Sequence, residues 1–597
     1  MALLQNFHLQ MPGFNVALNA SPAVSTRYGR EGFPNGLVAE HFYSGDMHFL
    51  TVHREIVMMR VMNSITDKPQ WDQKVFDENI TSKWSQEIAQ SGLDVTPKMM
   101  NWIIKELQWK AGIFNETGYV RVFDVGVIKS DIAISEDIQQ ALKEEVTPLN
   151  NVPEDQKDYH PRSDHKVVDL VHPSLFPVIY GRTRVLPDRI ISLNDCISSM
   201  GQGELLPVPL DEEVYVYPKH GLPYKPDVPL ISKRFQWLPC DVELTESGCR
   251  IASYINNLHP VRHRRLYDVI EKIIAQTIPL WEKSLASKYY EEDRIKYTKV
   301  EYGEHAEPEP IAPWDGLDVE DYDDKHNPYP WSDAEEDSYY ELSEAWEASR
   351  PIILPEPGEF RPHKEREWEK VDLRKQFPGR RLQVIVKLAN IELTPENPEY
   401  EGGSWHIEGQ LLRKNERIAA SAIYYYDSEN ITPSTLSFRQ HGMSDFWDIY
   451  YEQERQEFLQ AVFGFANDTS GHYDTNVTQE LGSVLCREGR LLTFPNTVQH
   501  RVSSFSLADR SKPGHRKILA LFLVDPHKRI ISSANVPPQR EDWLPEELDH
   551  KIKRDMKPLM TMDEAKEARL ELMAERSLQS AEGNRNYETG SFNLCEH

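Results

Sequence analysis

The chain has 597 residues, a formal net charge of −28 and 95 Asp and Glu against 67 Lys and Arg. That balance argues against nucleic acid as the main partner, because neutralising phosphates takes clustered Lys and Arg. With 39% hydrophobic residues it suits a folded protein of two or three domains, and no apolar run nears the roughly 18 residues a membrane span needs.

The start, "MALLQNFHLQMPGF", lacks the basic and apolar regions of a secretory signal. The five cysteines (Cys196, Cys240, Cys249, Cys486, Cys595) form no CxxC pair, so a cytoplasmic address is expected. Residues 1–300 are expected to be a mainly helical region. Lys83 to Phe114 and Val261 to Ser287 ("LYDVIEKIIAQTIPLWEKSL") carry apolar residues at helical spacing between Pro-rich connectors. Residues 301–370 read as an acidic, Pro-rich linker or insertion. From Glu301 to Arg350 there are 17 acids and 2 bases, so over half the net charge sits there.

Residues 371–540 have another texture. "LQVIVKLANIEL", "RIAASAIYYYD", "GSVLC", "RLLTFP" and "KILALFLVDP" are β-branched and aromatic runs broken by Gly, Pro and Asn, the pattern of an antiparallel sandwich or barrel. One helix is predicted within it, about Asp445 to Phe463. Residues 541–597 predict a charged helical tail with a frayed end.

Inside the β-rich region, "YEGGSWHIEGQ" places His406 and Glu408 two residues apart beside glycines. A bare His-x-acid pair is weak. It recurs at His53–Glu55, His305–Glu307 and His363–Glu365, with His472–Asp474 as a variant, and a solvated polar pair is the usual meaning. Context separates the pairs. On a strand, residues two apart point to one face, so His406 and Glu408 can close on one ion. His500, in "GRLLTFPNTVQHRV", follows a β-like run and supplies a third ligand. Two His and one carboxylate leave positions open for substrate and dioxygen, the ligand set of non-haem Fe(II) oxygenases. Arg516 opens the next run, where its planar fork could grip a carboxylate, although Arg510, Lys512 and Lys517 are rivals.

"SWHIEG", "AIYYYD", "GRLLTFPNTVQHRV" and "GHRKILALFLVDP" together resemble the core of an Fe(II)/2-oxoglutarate-dependent dioxygenase of the prolyl-hydroxylase-like branch. The whole chain also resembles a mostly fungal family catalogued as a domain of unknown function. The first resemblance, over residues 380–530, implies an α+β chain with a C-terminal double-stranded β-helix (a jelly roll, cupin-like) and a helical tail. It implies Fe(II) on His406, Glu408 and His500, with 2-oxoglutarate on Arg516 and dioxygen as second co-substrate, ascorbate being supportive. Lys387 and Tyr424 or Tyr426 are further expected pocket residues; which face of "AIYYYD" turns inward stays open. Glu408 departs from the commoner Asp, as in clavaminate-synthase-like enzymes.

The resemblance implies hydroxylation, desaturation or ring closure of a small polar substrate, such as an amino acid or a specialised metabolite, with succinate and CO2 as co-products. No nucleic acid or membrane partner is expected, and a homo-oligomer is compatible with the sequence. The alternatives are a peptide or protein hydroxylase that uses the N-terminal half as a platform, and a cupin-like barrel without 2-oxoglutarate chemistry.

Overall fold

The computed structural model describes residues 10–20, 32–36, 50–214, 231–246, 248–286, 293–318, 322, 328–362, 370–408, 415–442, 449–453, 455–465, 475–544 and 559–590. In chain order its longer helices are α1 (His53–Thr66), α2 (Glu78–Gln90), α3 (Pro97–Thr117), α4 (Glu136–Asn150), α5 (Arg264–Leu285), α6 (Asp333–Ser349), α7 (Phe458–Phe463) and α8 (Met562–Glu588). The strands that build the centre are β1 (Val120–Phe123), β2 (Val127–Ser130), β3 (Val167–Val171), β4 (Cys240–Leu244), β5 (Cys249–Ile251), β6 (Arg381–Leu393), β7 (Ile418–Glu429), β8 (Ser434–His441), β9 (Thr478–Cys486), β10 (Leu491–Pro495), β11 (Gln499–Val502) and β12 (Gly514–Val524). Several two-residue strands and one-turn helices are left unlabelled.

The fold is a mixed α+β architecture around a large antiparallel sheet. That sheet has nine strands in the order β1-β2-β10-β7-β12-β6-β4-β5, with β3 also on β6. A smaller sheet, β9-β8-β11, faces it. Ile423, Tyr425, Leu492 and Phe494 of the large sheet share one core with Leu436, Phe438, Val484 and Cys486 of the small one. On the opposite face of the large sheet, Leu519, Leu521 and Leu523 of β12 pack with Ile270, Ile274 and Trp281 of α5. A strand covered on both faces is apolar at every position rather than alternately, which is why "KILALFLV" reads as one continuous run.

Five of the nine strands in the large sheet, β1 to β5, come from the first 300 residues. The N-terminal half therefore holds the expected helices and also extends the large sheet on both sides. These strands are only three to five residues long, too short to show a period against the Pro-rich sequence around them.

Among the described residues, the helix predicted from Asp445 to Phe463 is present as α7. Tyr450 is instead extended and pairs with Lys299, and it exchanges backbone hydrogen bonds with Thr298 and Val300. A long-range bridge has overridden local helical spacing; residues 443–448 and 454 lie outside the described residues. Within the acidic segment, Ser332 caps α6 and no residue of that helix is buried. Trp314 nonetheless stacks with Trp331 and Tyr339, and Arg350 covers the ring of Tyr302 at 3.9 Å.

Candidate metal centre

Gly402 has φ +89°, and a Cβ there would meet the Val502 carbonyl oxygen at 2.7 Å. Only glycine lets the chain turn in so close to β11. Four residues on, His406 and His500 exchange both backbone hydrogen bonds, at 3.1 and 2.9 Å. That antiparallel pairing sets the two imidazoles side by side, with ring centroids 4.2 Å apart. Glu408 Oε1 lies 3.4 Å from His500 Nε2 and 3.9 Å from His406 Nε2. The neighbouring Trp405 is held between the guanidinium groups of Arg439 and Arg501, at 4.7 and 4.5 Å.

The protonation of His406 suits a metal ligand. Its Nδ1 donates to the Ser404 carbonyl at 2.8 Å, because a carbonyl can only accept, and Nε2 is left with a free lone pair toward Glu408. Burial, helped by the adjacent His500, lowers the His406 pKa to about 4, so the ring is neutral at pH 7. Burial alone would raise Glu408; the hydrogen bond and charge of His500, with His406 and Lys387, outweigh it and pull the carboxyl below its usual value. His500 is 2% exposed, packs on Phe494 at 4.7 Å, and its buried Nδ1 has no partner.

Arg516 lies on the same inner wall. It sits on β12 opposite Ile391 of β6 and Ser428 of β7, and its guanidinium lies 4.5 Å from the ring of Phe505 and 5.7 Å from that of Tyr425. Nη1 donates to Ser434 Oγ at 2.7 Å; Nε is buried without a partner. Arg516 is 2% exposed, yet among the described residues no carboxylate comes within 4.0 Å of it. The sequence rivals are accounted for elsewhere: Arg510 pairs with Glu399, Lys512 with Asp509 and Lys517 with Asp427. Lys387, midway along β6, shares a face with Ile385 and Ile391 and is close enough to influence His406 and Glu408.

Tyr424 and Tyr426 require a correction. They belong to the core against α5, on the face of the large sheet turned away from the small sheet, and so do not face His406. Tyr425 is the inward tyrosine; its hydroxyl oxygen accepts from Cys486 Sγ at 3.1 Å, and its ring faces Arg516. Strand alternation makes the two outcomes exclusive. Of the other His-x-acid pairs, the two among the described residues do not assemble a site. His53 and Glu55 lie on α1, where Glu55 bonds Arg294, and His305 bonds Ser349. His363–Glu365 and His472–Asp474 lie outside the described residues.

Sequence reasoning missed a second cluster, His160, Asp169 and His172, whose ligand-type atoms fall within 4.8 Å of one another. No fixed spacing advertises it. His160 Nδ1 lies 2.8 Å from Asp169 Oδ2, and Arg569 approaches that same oxygen at 3.7 Å. His172 Nδ1 accepts the Ser174 backbone N–H at 3.2 Å, so the proton of the neutral ring is on Nε2. That nitrogen carries a proton in the neutral ring, and among the described residues the hydrogen bond within the cluster is the one between His160 Nδ1 and Asp169 Oδ2.

A neutral His, a carboxylate and a second His at the end of the small sheet define a candidate mononuclear metal centre of the two-His, one-carboxylate kind. The chain belongs to the family described as a protein of unknown function (DUF4246), whose model matches residues 97–547; the family's N-terminal domain matches residues 11–87. Among curated proteins nothing matches. Three solved structures align locally. A BsmA homologue from Methylobium petroleophilum PM1 is 13% identical over 24% of this chain and 42% of its own, with a TM-score of 0.14. The Fe(II)/α-ketoglutarate-dependent dioxygenase TqaL is 17% identical over 24% and 42%, with a TM-score of 0.15. The non-haem monooxygenase ThoJ, as a nickel complex, is 11% identical over 32% and 67%, with a TM-score of 0.16. The aligned part thus spans less than half of the first two proteins.

Proposed function

We propose that this protein is a non-haem Fe(II)/2-oxoglutarate-dependent oxygenase acting on a small polar substrate, with a double-stranded β-helix as its catalytic core. The strand orders β10-β7-β12-β6 and β9-β8-β11, with the His406–His500 bridge at the end of the second, support that core. The observation that carries the proposal is the pairing of a metal-competent triad with Arg516. A buried cation without a carboxylate is costly, and a dicarboxylate co-substrate would relieve that cost.

His406 Nε2, His500 and Glu408 would hold the metal. With 2-oxoglutarate and dioxygen it would supply an oxidant that takes a hydrogen atom from the substrate, and the outcome would be hydroxylation, desaturation or ring closure with succinate and CO2 released. Arg516, steadied by Ser434, would take the far carboxylate, the Tyr425 ring would shape the bottom, and Lys387 would add positive charge on the wall. Phe522, Trp237 and the α8 residues Ala568 and Leu572 pack in one apolar cluster beside the inner wall and would help keep water out.

The test is succinate release from purified protein given Fe(II), ascorbate and 2-oxoglutarate, including uncoupled turnover without substrate. Arg516→Ala is expected to raise the KM for 2-oxoglutarate more than tenfold at unchanged iron content, and His500→Ala to lose stoichiometric iron. No succinate at all, or full iron retention by His500→Ala, would overturn the assignment.

A further inference from the structure

Beneath α8 lie ionisable side chains with buried polar atoms that have no partner among the described residues. Arg576 is 4% exposed; its guanidinium lies over the indole of Trp237 at 4.2 Å and Nη1 donates to Ser174 Oγ at 3.3 Å. Its Nε and Nη2 are buried and have no partner. Glu416, 1% exposed and two residues before β7, accepts the Trp237 backbone N–H at 2.6 Å through Oε1, while its buried Oε2 has no partner. Glu575 likewise has a buried, partnerless Oε2. Trp237 therefore carries the Glu416 carboxyl on its backbone and the Arg576 guanidinium on its ring, and among the described residues no ion pair within 4.0 Å joins Arg576 to Glu416.

Buried opposite charges in one protein normally close on each other. Here burial pushes the Glu416 carboxyl up and Arg576 down, each partly offset by the other's charge, so they sense one another without touching. Helix α8 links the pair to the triad. Leu572, one turn before Arg576, packs with Ile385, Ala520 and Phe522 on the inner wall. Asn584, about 12 Å farther along the helix, donates to the Trp405 carbonyl and accepts from Gln499, the chain neighbours of His406 and His500. Glu408 contributes to the field at Arg576.

We propose that Arg576 and Glu416 form a recognition site for an α-amino-acid head group, the guanidinium taking the carboxylate and Glu416 the ammonium. A simple dianion would meet two carboxylates here, and a simple amine would meet the guanidinium; a zwitterion satisfies both. The inference rests on the oxygenase reading for its consequence, that the oxidised molecule is an amino acid or ends in one. Binding itself does not depend on iron chemistry.

The experiment uses the full chain loaded with nickel, which is inert to turnover, and titrates the twenty proteinogenic L-amino acids with their methyl esters and N-acetyl derivatives by thermal shift and calorimetry. At least one free amino acid is expected to bind with a Kd below about 1 mM, and its ester and N-acetyl forms at least tenfold more weakly. Glu416→Gln, nearly isosteric, is expected to weaken that ligand at least tenfold at unchanged nickel content; Arg576→Lys serves should the first variant misfold. No binding of any free amino acid, equal binding of the esters, or unchanged affinity in Glu416→Gln would each overturn the proposal. If nickel is not retained, the same titration on metal-free protein still decides it, and the metal assignment fails separately.

Discussion

At His406 and His172 a single proton sets two similar clusters apart. His406 spends Nδ1–H on a carbonyl and keeps Nε2 free, whereas His172 accepts at Nδ1 and keeps its proton on Nε2. Metal analysis of nickel- or cobalt-treated protein is therefore expected to give one ion per chain. His406→Ala should empty that site, and Asp169→Asn should leave it filled; two ions per chain, one lost in Asp169→Asn, would refute the proton assignment. The tyrosine run separates in the same way. Tyr425→Leu is expected to raise the KM for 2-oxoglutarate about tenfold by loosening Arg516, and Tyr424→Phe to leave it within about twofold. The triad was legible in the sequence because a His-x-acid pair on an extended segment must share a face. The inward tyrosine was not, because strand alternation gives two exclusive sets and no rule for which one meets the small sheet.

At the scale of elements, α8 is the part that sequence described most thinly. Its charged composition predicts a solvated helix, and the start obeys that prediction: Thr561 and Glu564 form a reciprocal cap. One stripe nonetheless turns inward, with Ala565, Ala568, Arg569, Leu572 and Arg576 buried. Two of those five are arginines that meet specific partners, Asp158 for Arg569 and the Trp237 ring for Arg576, so hydropathy alone could not find the face. Leu572→Ala should cost about 2–5 kcal/mol in chemical denaturation, as a cavity lined by Phe522 and Ile385 would replace the side chain. A loss below about 1 kcal/mol would mean that the helix does not pack against the inner wall.

Across the whole molecule, a buried ionic hub ties the N-terminal helices to the sheet. Arg294 donates to Glu106 on α3 through Nε and Nη2, both at 2.7 Å, and also to Glu55 on α1 and to Asp124 in the β1–β2 turn. Burial would raise the Glu106 carboxyl; Arg294 and Lys110 overcome it and hold the pKa at about 2, from an ordinary 4.5. A depressed carboxyl stabilises the fold fully above its unfolded pKa and loses that contribution as pH falls through the folded one. The shift corresponds to about 3 kcal/mol, present at pH 6 and lost between roughly pH 4.5 and 2. Acid titration followed by circular dichroism should show Glu106→Gln already weakened at pH 6 and less sensitive over that interval; a parallel acid dependence would show that the hub does not couple folding to protons.

The sheet register has a bearing on how the chain is made. β2 pairs with β10, whose residues emerge from the ribosome roughly 360 positions later, so at ordinary elongation rates its edge waits on the order of 20 to 70 s for a neighbour. During that delay the hairpin β1–β2 offers an open row of amides and carbonyls to any other nascent strand. Expression of residues 371–540 alone would omit that hairpin along with β3 to β5. A fragment cut at the boundary of the motif-bearing region is thus expected to aggregate when synthesised, with soluble yield restored by supplying residues 50–286 in trans.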